Sequence, residues 1–340
     1  MIVLHRFTDG FEAPEWTSPV ISADFAATEL IASWTASTPG NSHLRVEVSG
    51  RTESGAQTKW FNLGEWASTD TYFTRTSVKG QGDTHGDVLA DVYRAVPGQA
   101  LVTWQLRVTC VNGATLHSAH VMASALDQSD LPLSVPGKNQ GRALRVPSFA
   151  QRIHRGLYPQ WDGGGQSWCS PTSTSMVLSY WGTGPRPEDY AWVDPSYVDP
   201  WVIHAARSTY DPAFGGCGNW PFNTAYAGTF GMEAFVTRLR SLEEAALFIG
   251  AGIPLIASAT YSEGEVPGLN YGTNGHLMVL SGFADSGDPI LHDPNSDTSD
   301  EVCKTVGRAE WEAAWLRTSG GVVYVIHPKS HPLPPSRGNW

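Results

Sequence analysis

The stretch Gln166-Ser-Trp-Cys169-Ser-Pro-Thr-Ser-Thr-Ser-Met-Val-Leu-Ser-Tyr-Trp-Gly182 puts one cysteine where a glycine-rich approach, Gly163 to Gly165, turns into a helix. Pro171 suits a first helical position, Ser and Thr fill the first turn, and Gly182 is a natural stop. A thiol there lies over backbone N–H groups that have no partner inside the helix, and those groups together with the helix dipole favour thiolate over thiol. A thiolate is a nucleophile, so Cys169 calls for a base, and for a group that orients the base, elsewhere in the chain.

Downstream, Asn274-Gly-His276-Leu-Met-Val-Leu-Ser-Gly-Phe283 and Pro289-Ile-Leu-His-Asp293-Pro294 flank a polar turn through Asp285, Gly287 and Asp288. These runs read as an antiparallel hairpin with His276 and Asp293 at the same end. Side chains alternate along a strand, so register decides which residue shares the His276 face. If paired positions sum to an odd number, Asp293 and Asn295 do; if even, His292 does. The odd register is preferred, because a carboxylate beside His276 fixes its tautomer and stabilises the imidazolium. Asn295 stands as the substitute for Asp293.

Cys, His, then Asp or Asn is the chain order of a papain-like thiol enzyme. The segment Val146-Pro-Ser-Phe-Ala-Gln151, the WCSPTSTSMVL run, the GTNGHLMVLSGF run and the final HDP resemble, in this order, the bacteriocin-processing peptidase family, in particular its stand-alone bacterial branch. The resemblance covers about Val146 to His327. It implies that Cys169 attacks a peptide carbonyl, that His276 is general base and acid, that Asp293 orients His276, and that an upstream glutamine helps form the oxyanion hole. Gln151 is preferred for that last role, because it ends the stretch most similar to the family's approach to its glutamine, and Gln166 stands as the alternative. The family often has Cys-Gly-Pro or Cys-Glu-Pro where this chain has Cys169-Ser-Pro171, and its glutamine usually lies nearer the cysteine than Gln151 does.

With 340 residues the chain is long enough for two domains. Its formal charge of −11, with 22 Lys and Arg scattered along the chain, excludes the clustered cations that a nucleic-acid partner needs. No apolar run reaches the roughly 20 residues of a membrane-spanning helix. Met1 to Gly10 lacks a positive leader and a long apolar segment, which places the chain either in the cytoplasm or, with a leader removed, outside the cell. No cofactor or metal is expected. There is no CxxC or HExxH, His117 and His120 do not converge at three-residue spacing on a strand, no GKS or GKT follows Gly163 to Gly165, and no serine sits in a GxSxG setting. Besides Cys169, the cysteines Cys110, Cys217 and Cys303 read either as three buried free thiols or as one Cys217–Cys303 disulfide plus Cys110. The 14 Trp and 11 Tyr read first as core builders, and second as the lining of a sugar or peptide site.

The runs Glu29 to Thr35, His43 to Ser49, Thr58 to Leu63 and Leu101 to Thr109 alternate apolar and polar residues and are separated by turn signals such as Asn112-Gly113. They predict an N-terminal all-β sandwich over about Ser18 to Ala125, a packing or targeting module first and a carbohydrate- or cell-wall-binding one second. Residues 1–140 are therefore read as a β-sandwich accessory domain with a linker from Asp127 to Arg145. Residues 141–330 are read as an α+β papain-like cysteine peptidase domain, and 331–340 as a loosely held Pro-rich tail. In the second domain, Ser241 caps a helix with Glu244 reaching back, a strand runs Ile253 to Ala259, a helix runs Arg308 to Leu316, and a last strand runs Gly321 to His327. Residues 183–240 read as a long ordered excursion, which either shapes a cleft or only covers the core.

The expected function is a cysteine peptidase or amidohydrolase working through a thioester, with a peptide or cell-wall peptide as substrate. A thiol acyltransferase or transamidase of the same chemistry, and a catalytically silent peptide-binding protein, are the alternatives. The bond cleaved and the oligomeric state are not legible in the residues.

Overall fold

The computed structural model describes residues 1–126, 133–137 and 139–340. It is mostly β-sheet with five α-helices: α1 (Cys169–Tyr180), α2 (Pro200–Thr209), α3 (Trp220–Gly228), α4 (Leu242–Gly250) and α5 (Arg308–Ser319). The core of residues 127–145 expected as a linker lies partly outside the described residues. What is described of it is pinned to the C-terminal half: Ser134 donates from its backbone and hydroxyl to Glu312 at 2.8 and 2.7 Å, and Arg142–Ala143 pairs with Gly282 and Phe283.

The N-terminal half holds two five-stranded sheets that share one apolar core. The first runs in the order 2–7, 115–124, 29–37, 92–95 and 86–89, so the β region begins at Ile2 and not near Ser18. The second joins 15–17, 101–111, 43–52 and 61–66, with 21–27 added against 101–111. The strand Glu29–Ser37 departs from the expected half-solvated pattern: every residue from Leu30 to Ala36 is buried. One face fills the shared core with Leu30, Ala32 and Trp34, while on the other face Ile31 packs into the C-terminal core and Ser33 Oγ accepts the N–H of Val236 at 3.1 Å. Phe222 and Ala225 of α3 complete the N-terminal core. The two halves are therefore sewn together by apolar burial and by buried polar pairs such as His120 Nε2 and Glu233 Oε1 at 3.1 Å.

The C-terminal half is built on a seven-stranded antiparallel sheet in the order 232–238, 322–328, 255–261, 273–283, 289–292, 303–305, with 142–143 on strand 273–283. Helix α1 packs on strand 273–283 and against α2 and α3, while α5 packs on strands 255–261 and 322–328. Residues 183–240 are not an excursion. They supply α2, α3 and the strand Met232–Arg238, elements integral to the core that short helices rich in Pro and aromatics kept hidden. Ser241 caps α4 by accepting the Glu244 N–H at 3.3 Å, but the Glu244 carboxylate reaches Arg240 N at 2.8 Å and not the cap residue.

The last residues are anchored, against the expectation of a loose tail. Asn339 is fully buried and donates to Arg238 O at 2.9 Å, and the Trp340 ring stands edge-on to Phe248 at 5.0 Å. One polar and one aromatic anchor outweigh the Pro-rich composition before them. Six tryptophans, at positions 34, 66, 104, 168, 311 and 315, are among the largest fully buried side chains. Among the described residues no helix is long and apolar enough to cross a membrane.

Candidate active site

Helix α1 begins at Cys169, so Pro171 occupies its third position. All ten residues from Cys169 to Leu178 are buried, which explains why the helix carries no apolar stripe: it is enclosed on every side. Small hydroxyl residues suit that setting because each can bond locally. Ser170 Oγ lies 2.9 Å from Tyr324 OH, and Ser175 Oγ donates to Pro171 O at 2.9 Å. Ser173 Oγ donates to Leu277 O at 3.1 Å. Cys169 is one turn before Ser173 on the same helix face and His276 is next to Leu277, so this bond ties the start of α1 to the part of the strand that carries the imidazole.

His276 is buried on strand 273–283. Nε2–H donates to Asp293 Oδ1 at 2.8 Å, which leaves Nδ1 for a partner in the cleft that Cys169 also lines. The pairing of Val279 with His292 and of Leu280 with Leu291 has the odd parity, so Asp293 shares the His276 face. An irregularity between Leu280 and Gly282 then shifts the turn side of the hairpin by one residue. His292 points away, near Ser148 Oγ at 3.4 Å, and burial pushes it down to about 4. Asn295 comes near through its backbone, whose N–H donates to Asp293 Oδ1 at 2.9 Å.

The electrostatics follow from this wiring. Burial opposes charge on the His276 ring, yet the bonds to Asp293 and Cys169 and the charges behind them outweigh it and push the imidazole up to about 9. Burial also opposes ionisation of Asp293, which is fully enclosed. His276 and Lys304 overcome that and hold the carboxyl far below the usual carboxylate range. Two members of this cluster escaped the sequence reading. Tyr271 OH donates to Asp293 Oδ1 at 3.1 Å, and Lys304 Nζ donates to Asp293 Oδ2 at 2.7 Å. The strand Cys303–Thr305 pairs with 289–292, which puts Lys304 and Asp293 on one face; the run is too short to register as a strand.

Gln151 opens a 3₁₀ turn, Gln151–His154, and is buried in the wall of the cleft that Cys169 lines, whereas Gln166 is exposed. Gln151 Nε2 donates to Gln166 O at 2.8 Å, and its backbone N–H donates to Pro294 O at 2.8 Å. The glycine loop makes this closure possible. Gly164 and Gly165 have φ of 68° and 80°, and a Cβ at Gly165 would lie 2.7 Å from Gln151 O. No protein atom crowds Gly275 in that way; the space beside it is open cleft.

Cys169, His276, Gln151, Gln166 and Asn295 line one cleft of ≈ 530 Å³. A buried thiol, an imidazole with a carboxylate behind it, and an amide at the mouth of a helix N-terminus form a set that can add a thiol to a carbonyl and move its proton. Residues 143–323, just over half of the chain, match the family described as Peptidase_C39 like. The chain belongs to this bacterial C39-like cysteine peptidase family. Residues 4–125 match the Peptidase C39 N-terminal domain, so both halves of this C39-like protein have counterparts in family models. No curated protein and no solved structure is significantly similar to it.

The other thiols of the C39-like chain are free. Cys110 and Cys217 are buried, but Cys303 is exposed on its edge strand, so neither the Cys217–Cys303 disulfide nor a set of three buried thiols describes them.

Proposed function

We propose that the protein is a cysteine peptidase or amidohydrolase whose second half, residues 141–330, is a papain-like catalytic domain and whose first half, residues 1–140, is accessory to it. The observation that carries this reading is the buried His276 ring, held at 2.8 Å by Asp293 and lining, with Cys169, one cleft open to a substrate. Cys169, its proton already held by His276, attacks the carbonyl carbon of a peptide or amide. The oxyanion that forms is met by the Cys169 N–H at the helix start and by the second amide proton of Gln151, the first being used on Gln166 O. His276 then protonates the leaving amine, a thioester remains on Cys169, and water activated by His276 hydrolyses it. Asp293 holds the ring and supports its charge without exchanging the proton. A helix bearing the nucleophile, packed on an antiparallel sheet bearing the base, supports the papain-like assignment.

The test is to incubate wild type and Cys169→Ala with a peptide library, with and without a primary amine. Cleavage by wild type that Cys169→Ala abolishes is expected. Amide products formed in preference to acids when amine is present would reassign the protein as a transamidase, and binding with no turnover by wild type would make it a silent peptide-binding protein.

A further inference from the structure

The cleft is not built by the C-terminal half alone. The hairpin Gly86–Leu89 and Val92–Ala95, at the edge of the first N-terminal sheet, sends its two-residue turn, Ala90 and Asp91, into the cleft wall. Ala90 takes a left-handed φ of 56°, and the buried Asp91 accepts the Trp220 N–H at the start of α3 at 2.6 Å. That bond fixes the tip against the C-terminal half. Facing the same cleft is the turn that carries Phe214, held by Asp211, whose Oδ1 accepts from Phe214 N at 3.2 Å and from Ser77 N of the N-terminal half at 3.1 Å.

This wall has a definite chemistry. Leu89 is 51% exposed and Phe214 47% exposed, and both line the cleft together with Trp220. Large apolar side chains left open at a cleft mouth gain by covering one another only if something apolar enters between them. The charged groups on this side are engaged within the protein: Asp91 with Trp220 N, Arg94 with Glu29 at 2.9 Å, and Asp162 with Cys217 N at 3.3 Å.

Resting on the peptidase reading above, we infer that the hairpin tip of the N-terminal half forms a specificity subsite, in which Leu89, Phe214 and Trp220 receive a large apolar side chain of the substrate peptide. The N-terminal half thereby takes part in selecting the substrate.

The experiment separates binding from chemistry by using Cys169→Ala as receptor. Peptides that differ at one position at a time, carrying Leu, Gly, Lys or Asp, are titrated against it and followed by tryptophan fluorescence. One position should favour Leu over Lys or Asp by about tenfold or more, the range that a single apolar pocket supplies. Adding Leu89→Asp should erase that preference, and Phe214→Ser, an independent exposed site, should weaken it. A Leu preference that survives both changes, or the lack of any position with such a preference, overturns the inference. Failure of the peptidase reading looks different: apolar-selective binding would persist in Cys169→Ala while wild type cleaves nothing.

Discussion

Lys304 Nζ sits 2.7 Å from Asp293 Oδ2, the carboxylate oxygen that His276 does not use. One carboxylate thus bridges the imidazole and a lysine drawn from the neighbouring strand. Lys304→Met leaves Asp293 with its other donors but removes a charge-assisted one, and should cost about 2 kcal/mol at neutral pH. Because the folded Asp293 is held below its unfolded value, this stability is fully present above the ordinary carboxylate range near ~4 and is lost progressively as pH falls from there through the much lower folded value. Urea unfolding of wild type and variant should therefore differ at pH 7 and converge in acid. A gap that persists unchanged in acid would assign the loss to packing.

His276, raised to about 9, has the opposite sign. Its proton contributes stability in full below about 6.5, and that contribution is lost as pH rises toward 9. The same proton is the one given to the leaving amine, so kcat/KM should decline above pH 9. Asp293→Ala should move that alkaline limb down toward about 6.5 and lower kcat, and His276→Ala should lower kcat by about 1,000-fold. His292→Ala, on the far side of the strand, should stay near wild type. An unmoved limb in Asp293→Ala would hand the orienting role to another residue, with Asn295→Ala the next variant to measure.

Gln151→Ala should reduce kcat by about 100- to 1,000-fold with little change in KM, the signature of a lost oxyanion donor. Gln166→Ala should do far less, because Gln166 serves Gln151 through its backbone carbonyl, which alanine retains. Reversed ranks in steady-state kinetics would transfer the role to Gln166.

Iodoacetamide should mark Cys169 ahead of the exposed Cys303 near neutral pH, and both ahead of the buried Cys110 and Cys217. Burial raises the thiols of Cys110, Cys217 and Cys303, which lowers the share of each that is thiolate near neutral pH. Peptide mapping by mass spectrometry after short exposures gives the order, and Cys303 labelling first would remove the case for an activated Cys169.

What could be read ahead of the structure was whatever has a local grammar. The helix start at Cys169 follows from Gly163 to Gly165 and the Ser and Thr run, whereas strand alternation leaves two parities, and the chemistry of a carboxylate beside His276 favours the one the structure has. Lys304 and Tyr271 reach Asp293, and Leu89 reaches the cleft, through tertiary packing, and no local pattern announces them. Helices α2 and α3 were hidden for another reason. Both open on Asp-Pro or Trp-Pro and sit among turn-forming residues, so loop chemistry masked two short helices whose stability comes from burial against α1 and the N-terminal core. The tail shows the same limit, since composition argues for looseness and two terminal side chains decide otherwise.

The extra residue at Ser281 acts as a vernier on the hairpin. On its far side Gly282 faces Ile290, on its near side Leu280 faces Leu291, so the two ends of one strand pair run out of phase. Length changes in the Asp285 to Asp288 turn can be taken up on the far side, while the near side keeps its parity. A chain lacking that residue would have a single phase from turn to cleft. One added or lost turn residue would then rotate Asp293 out and bring His292 in, replacing a carboxylate with a neutral ring behind the base.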